Sequence, residues 1–256
     1  MLLVVPVSKT DLNLIEPFTS CFNFFGPYDD HSLLVVGREE DQYYIDYVFN
    51  KIKINFNKGQ QSTKTYKDIP NGWPLGPNAY WKETIIYLEK INNQLPWLWM
   101  ELDVFPLKKD WASLLREDYY KKNKPFYGCL EDTTTLTLDE ETVFLTKHFV
   151  GAGIYPPKVS DFSKNWKHVD RIPTAFDVIC QFEFAPLTHH SELFQHNFRT
   201  DNYRKTEDGV IICDDKNNFK GGRKFNKPVS SKAVILHGCK DKTLYDLISN
   251  NSITID

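Results

Sequence analysis

The stretch Trp97-Leu98-Trp99-Met100-Glu101-Leu102-Asp103-Val104-Phe105-Pro106-Leu107 constrains this chain more than any other. An uninterrupted apolar run ends in two carboxylates one residue apart, with a proline close behind. Runs of this kind form strands buried on both faces, as in the parallel sheet of an α/β protein. Ligands of such sheets collect at the carboxyl ends of the strands. Paired carboxylates there suit a hard divalent cation, and a cation there suits a phosphorylated ligand. Glu101-x-Asp103 is therefore either a metal site or an ordinary solvated strand end, and the remaining sequence has to decide.

The preceding segments supply the rest of such a sheet. Residues 2–7, 32–36, 52–55 and 97–102 read as successive strands. Between them, Asp11 caps an amphipathic segment with Leu12, Leu14, Ile15 and Phe18, kinked at Pro17. Asp41 opens a helix with Tyr43, Tyr44, Tyr47 and Val48 as its buried stripe, and residues 79–92 form a helix burying Ile85, Ile86 and Ile91. This β-α-β-α-β order predicts an α/β fold with a doubly wound, mostly parallel sheet. A long polar loop, 57–76, carries Gly59, Pro70, Gly72, Pro74 and Gly76. Loops of that length are functional or disordered.

Beyond the carboxylates, Asp110 caps a helix over 111–122 that packs through Leu114, Leu115 and Tyr119, and 126–130 is a further strand. The second half is less regular. Residues 133–141 read as a loop or hairpin, 143–150 as a strand, and 151–156 as a tight backbone passage. A helix over 174–184, a polar mobile loop over 209–227, a core strand over 233–236 and a closing helix over 242–249 complete the chain. Repeats and linkers are not evident, so one domain over 1–256 is expected.

Composition narrows the classes. The chain of 256 residues is 41% apolar and 25% charged, as in globular proteins. A net charge of −3 supplies no global field toward nucleic acid. The N-terminal apolar run is too short for a leader, and no stretch approaches the ~20 apolar residues that span a bilayer. The five cysteines (Cys21, Cys129, Cys180, Cys213 and Cys239) are scattered and form no C-x-x-C pair. Reduced thiols in the cytoplasm are expected.

His237 weighs against the solvated strand end. It lies in His237-Gly238-Cys239-Lys240-Asp241, read as a strand-to-helix turn. Neutral imidazole ligates metals, Gly238 lets backbone approach a ligand, and Lys240 meets phosphate as a point charge. Carboxylates, imidazole and lysine together make a coherent metal–diphosphate site.

With those residues in view, the chain resembles the GT-A class of nucleotide-sugar glycosyltransferases. These have an N-terminal nucleotide-binding sheet, an acid-x-acid motif after a central strand and often a late histidine on the same ion. Pro6-Val7-Ser8-Lys9-Thr10-Asp11 is similar to their first nucleotide-binding loop, and Gly72-Trp73-Pro74-Leu75-Gly76-Pro77-Asn78 resembles their donor loop. Three blocks resemble glycosyltransferase-like proteins of bacteriophages and large DNA viruses: residues 72–78, residues 97–111 with Lys124-Pro125-Phe126-Tyr127-Gly128, and residues 237–241. The first acid is Glu101, where the class more commonly carries aspartate.

The resemblance implies a metal-dependent enzyme moving a sugar from a nucleoside diphosphate sugar to a hydroxyl acceptor, such as a glycan or a hydroxymethylated base in DNA. Mn²⁺ or Mg²⁺ would be held by Glu101, Asp103 and His237. Pro6, Ser8, Thr10, Asp11, Trp73, Gly76, Asn78, Glu101 and Lys240 would line the donor. Residues 1–130 would form the nucleotide-sugar half, and 131–256 the acceptor half with the C-terminal metal segment. Segments 57–78 and 209–227 are candidates for closing over the donor. A nucleotidyltransferase also places carboxylates at strand ends around a metal, but the first loop lacks the glycines that class usually shows. A non-catalytic carbohydrate- or DNA-binding module on the same fold is the third reading.

On the acceptor side, Asp177 at a helix start is the candidate catalytic carboxylate beside Asp103, with Glu183 as its rival. His189, His190 and His196 form a loose group with Gln195 and Asn197, suited to acceptor contact or structure. Lys216, Lys220, Arg223, Lys224 and Lys227, interleaved with Phe219 and Phe225, offer a basic run for a nucleic-acid backbone, diluted by Asp214 and Asp215.

Overall fold

The strongest apolar runs form the centre of a seven-stranded sheet in the computed structural model, which describes residues 1–131, 135–138, 141–144, 147–213 and 228–250. In chain order, β1 (Leu2–Val7), α1 (Leu12–Phe24), β2 (Ser32–Arg38), α2 (Gln42–Ile52), β3 (Gln61–Tyr66), α3 (Leu75–Lys90) and β4 (Trp97–Trp99) build the first half. They are followed by β5 (Val104–Pro106), α4 (Trp111–Lys122), β6 (Phe126–Glu131), β7 (Thr135–Leu138), β8 (Glu141–Phe144) and β9 (His148–Tyr155). The last part holds α5 (Phe176–Ile179), α6 (Gln181–Phe184), β10 (Thr188–His190), β11 (Phe194–Thr200), β12 (Tyr203–Lys205), β13 (Ile211–Cys213), β14 (Ile235–Cys239) and α7 (Thr243–Ser249).

The large sheet runs β10-β6-β9-β4-β1-β2-β3. Strands β1 to β4 are mutually parallel, whereas β9 is antiparallel to both its neighbours, β4 and β6. A second sheet, β11-β14-β5, pairs β14 antiparallel with β5 and parallel with β11. The mixed, mostly parallel α/β sheet expected from the sequence is therefore present. Alternation along β1 separates two cores. Leu3, Val5 and Val7 pack with Phe18, Ile45 and Leu115 on one face, and Leu2 and Val4 pack with Trp81, Ile85 and Phe176 on the other.

Several boundaries differ from those expected, each for a physical reason. Residues 52–55 are not a strand: Ile52 closes α2 and a single helical turn follows. The third strand is β3, inside the expected polar loop. It is an edge strand paired only with β2, so its side chains (Thr63 and Lys64 among them) need no apolar run. The buried stripe of α2 is Ile45, Val48 and Ile52, while Tyr43 is exposed. Helix α3 starts at Leu75 and buries Trp81, Ile85 and Leu88, leaving Ile86 and Ile91 exposed. Likewise α4 buries Leu115 but exposes Leu114. Asp11 and Asp110 do sit at helix N-caps, but neither side chain makes a capping hydrogen bond.

The second half departs further. Residues 174–184 form two short helices that meet at Cys180. The expected strand over 143–150 divides between hairpin arm β8 and β9. Residues 151–155 are therefore strand interior and not a turn. Gly153 pairs with Gly128 across β9 and β6, and the ring of Phe149 fills the hollow over both. Among the described residues no helix is long and apolar enough to cross a membrane.

The packing at Gly153 gives a first prediction. A Cβ there would lie 2.2 Å from Phe149 Cζ and 3.1 Å from the Tyr127 carbonyl. Phe149 is fully buried between Phe126 and Tyr155, with ring centroids 6.0 and 5.3 Å away, and has no room to withdraw. Gly153→Ala should lower unfolding free energy by about 1–3 kcal/mol, the usual cost of overpacking, as read by urea denaturation. A variant as stable as the unmodified chain would contradict the register described for β9.

Candidate metal and donor site

The apolar run stops being a strand at Trp99, so Glu101 and Asp103 do not share a strand face. The chain turns there, with Val104 N–H donating to the Glu101 carbonyl at 2.9 Å, and enters the second sheet as β5. That turn brings the acids to His237. His237 lies within β14, opposite Val104, and not in a turn after the strand. The Asp103 carbonyl accepts Gly238 N–H at 3.1 Å and Cys239 N–H at 3.0 Å, clamping the two segments together. Gly238 adopts φ +100, a conformation side-chain-bearing residues rarely take.

Three side chains converge on this clamp. His237 Nε2 lies 3.4 Å from Glu101 Oε2 and 3.5 Å from Asp103 Oδ1. The Lys240 ammonium donates to Asp103 Oδ2. Trp99 holds Glu101 from the other side, its indole N–H donating to Oε1 at 3.2 Å. Glu101, Asp103 and His237 each offer one ligand atom, all within 4.8 Å of one another. Asp103 Oδ1 is buried without a hydrogen-bond partner, which an ion between these groups would satisfy. Two carboxylate oxygens with one imidazole suit Mn²⁺ or Mg²⁺, so the donor set fits the cation expected from the sequence.

The charges act on one another. Burial disfavours ionised Glu101, but the His237 hydrogen bond and the His237 and Lys240 charges outweigh it and hold the carboxyl below its ordinary value. Burial likewise opposes charge on His237 and Lys240, and the Asp103 and Glu101 carboxylates reverse this and raise both. Asp11, just after β1, enters the same field. Burial lifts it from 3.8 to about 6, with Lys240 opposing and Glu101 and Asp103 reinforcing.

The expected donor residues fall into four places. Asp11, Glu101 and Lys240 belong to the charged cluster. Pro6 and Ser8 lie at the end of β1, where Ser8 Oγ accepts from Thr10 N–H at 3.3 Å and Thr10 Oγ1 at 3.0 Å. Gly76 is buried in the first turn of α3, its own N–H bonded to the Gly72 carbonyl at 2.8 Å, and Trp73, in the loop before that helix, is largely exposed. That loop is pinned to the end of β2 by Arg38, which donates to Asn71 and, at 2.8 Å, to Tyr80 OH, with buried Asp41 at 3.9 Å. Asn78 has a different place. It is fully buried, donating to the Val169 and Thr174 carbonyls, both at 2.7 Å, and accepting from Phe176 N–H at 2.8 Å. Its amide anchors the segment before α5.

On the acceptor side, Asp177 Oδ2 accepts Gly151 N–H at 3.1 Å and Oδ1 accepts Val178 N–H at 2.9 Å. Burial raises its carboxyl, opposed by His148 and reinforced by Glu101. Gly151, which it holds, lies two residues before Gly153, the partner of Trp99 on antiparallel β4, so Asp177 sits at the same end of the sheet as the acid pair. Glu183 is an anchor: it accepts from Ser163 Oγ, and from Lys164 N–H at 3.0 Å and Asn165 N–H at 3.3 Å. The three histidines do not form one group. His189 and His190 lie on edge strand β10, where His189 stacks on Tyr127 and His190 Nδ1 accepts from Leu130 N–H at 3.0 Å. His196 sits in the second sheet beside His237. Gln195 bridges Asn197 at 3.1 Å and the Pro228 carbonyl at 3.0 Å. The basic run over 214–227, with its two phenylalanines and Asp214 and Asp215, lies outside the described residues.

Sequence reading missed Trp99, His148, Arg38 and Tyr80. Arg38 was the most accessible of these, because it closes the second parallel strand at the same carboxyl edge as the acid pair. Tyr80 and His148 are brought in by helix packing and strand register, which no local signal carries, whereas Trp99 lies only two residues before Glu101.

No family model matches the sequence, and no curated protein does. Solved structures do overlay. Mouse xyloside xylosyltransferase 1, in its apo form, gives a TM-score of 0.54 at 10% identity, over 93% of this chain and 96% of that one. GlyE of Streptococcus pneumoniae, a glycosyltransferase, gives 0.52 at 12% identity, over 99% of this chain and 60% of that one. An active-site mutant of LgtC gives 0.50 at 9% identity, over 93% and 86%. The likeness is one of fold: the chain has the GT-A architecture of these glycosyltransferases.

Asp11 supplies a second prediction. The native carboxyl keeps its proton to about pH 6, whereas an ordinary one releases it near 3.8. The native state therefore binds the extra proton between those values, and stability falls as pH rises through that window. Asp11→Asn stays neutral, so in metal-free protein it should gain stability across the window and keep about 1–3 kcal/mol at neutral pH. Urea unfolding at several pH values measures this, and equal or lower stability of the variant at neutral pH contradicts it.

Proposed function

We propose that this chain is a metal-dependent glycosyltransferase that moves a sugar from a nucleoside diphosphate sugar to a hydroxyl acceptor. The observation carrying this reading is the convergence of Glu101, Asp103 and His237, with Lys240 beside them, at the carboxyl edge of a GT-A sheet. Asp103 and His237, assisted by Glu101, would hold Mn²⁺ or Mg²⁺. Bound there, the cation supplies Lewis-acid neutralisation of the negative charge on a departing nucleoside diphosphate.

The chain's own residues do the rest. Lys240 exchanges its contact with Asp103 for the diphosphate and adds a second positive charge. Pro6, Ser8, Thr10 and Asp11 flank the nucleotide, and Trp73 and Gly76 close the donor side through the loop that Arg38 pins. Asp177 takes the proton of the acceptor hydroxyl as its oxygen bonds to the anomeric carbon and the bond to the diphosphate oxygen breaks. A carboxyl raised above its ordinary value is better matched to that task than an unperturbed one. Residues 1–130 serve the donor, and 131–256 serve the acceptor and contribute His237.

The five cysteines are all buried, and a reducing, cytoplasmic setting is part of this reading. The likeness to bacteriophage and large-virus proteins rests on sequence blocks alone. In that setting, a host cytoplasm, a hydroxymethylated base in DNA is the acceptor to try beside glycans.

Calorimetry with UDP or GDP and Mn²⁺ tests the site. Asp103→Ala and His237→Ala should each weaken metal-dependent nucleotide binding by about 10-fold or more, as loss of a ligand implies. Unchanged binding and unchanged sugar transfer in both variants would sink the assignment. Slow Mn²⁺-dependent release of free sugar from a nucleotide sugar is expected of the unmodified chain. Tight donor binding with neither release nor transfer would make it a binding module.

Protons compete with the cation for His237. Its carboxylate neighbours raise its pKa against the effect of burial, so competition begins above the ordinary histidine value. Mn²⁺ affinity should therefore tighten as pH rises through and above the ordinary histidine range, with proton release on binding. Isothermal calorimetry in buffers of different ionisation enthalpy reads that release, and a pH-independent affinity contradicts ligation by His237.

A further inference from the structure

His196 and His237 are register partners on the parallel strands β11 and β14. Their ring centroids are 4.7 Å apart, with the planes inclined by 51°. The contact is specific: Nδ1 of one ring faces Nδ1 of the other at 3.1 Å. Two like nitrogens at hydrogen-bond distance require one to carry the proton and the other to present a lone pair.

The opposite side of His237 decides which does which. Its Nε2 faces Glu101 Oε2 at 3.4 Å and Asp103 Oδ1 at 3.5 Å. If Nε2 ligates a cation, its lone pair must be free and the ring proton must sit on Nδ1. If the ring is instead charged, both nitrogens carry protons, and Nδ1 again has one to donate. In both states His237 Nδ1–H points at His196, so His196 Nδ1 must be the acceptor and hold its own proton on Nε2. The reverse arrangement, with the proton on His196 Nδ1, would leave His237 its proton on Nε2 and block the ligating lone pair.

We propose that His196 is the positioning residue of the metal site: its Nδ1 accepts the Nδ1–H of His237 and so fixes the tautomer and orientation that turn Nε2 toward Glu101 and Asp103. Partners of this kind orient metal-ligating histidines generally, and their loss costs about 10–100-fold in metal affinity. The inference rests on the metal reading above for its consequence, but the hydrogen bond itself can be tested without any metal.

Two measurements test it. In the unmodified, metal-free protein with ¹⁵N-labelled histidine, at a pH where the His237 ring is charged, NMR should find His237 protonated at Nδ1 and His196 bare at Nδ1. A proton on His196 Nδ1 overturns the proposal. In Mn²⁺ calorimetry, His196→Phe, which keeps a ring but removes the acceptor, should bind about 10–100-fold more weakly. His196→Asn, whose Oδ1 can take the place of Nδ1, should recover most of that loss. Wild-type affinity in a folded His196→Phe protein, or an Asn variant as weak as the Phe variant, overturns the proposal. If the unmodified chain binds no Mn²⁺, the metal reading has failed, and the histidine spectrum alone decides the role of His196.

Discussion

Asp103 joins two segments that lie far apart in sequence, through its backbone and its side chain together. Its carbonyl accepts from Gly238 and Cys239, while its carboxylate faces Lys240, 137 residues later, and His237. A carboxylate this buried is tolerated only when positive charge and hydrogen bonds replace its water. The same contacts that satisfy it bring imidazole and ammonium to the end of the large sheet. Geometry of the second sheet follows from this clamp, because β5 begins directly after Asp103 and pairs with β14. Site and fold thus share one set of interactions.

Polar residues away from the cluster serve mainly to hold loops over the sheet. Asn78 ties α3 to the segment before α5, and Glu183 gathers the backbone of residues 163–165. Trp81 stacks on Phe176, the residue before Asp177, with centroids 4.4 Å apart, in the core that also holds Leu2 and Val4. These anchors place Asp177 and Gly151 at the same edge as Glu101. The solved structures that overlay share about a tenth of their residues with this chain. That is enough for a fold, since burial pattern and connection order fix the sheet while tolerating most side-chain exchanges of similar volume.

Legibility of the sequence followed burial. Strand β1 and helix α4 lie where their patterns put them, because a doubly buried strand and a helix between Asp110 and Lys124-Pro125 leave strong local signals. Strand β3 was not legible: an edge strand with one partner and polar faces looks like a loop. Ile52 was misleading for the converse reason, since a β-branched residue beside Lys51 and Lys53 suits either a strand or the last buried turn of a helix. Glycines at 151 and 153 suggested a turn, whereas Gly153 faces Gly128 inside the sheet to admit Phe149.

The sequence by itself determined the layered α/β organisation, the pair Glu101 and Asp103 as the point of chemical interest, and His237 and Lys240 as their partners. Those inferences rest on hydrophobic periodicity and on side-chain chemistry, both local. Only the tertiary structure decided that the acids meet through a turn and not along a strand face. It also gave Asn78 and Glu183 their anchoring contacts, and it placed His196 against His237 and away from His189 and His190. Such matters depend on register between strands distant in the chain, where a shift of one residue reverses every side chain. No stretch of sequence carries that information alone.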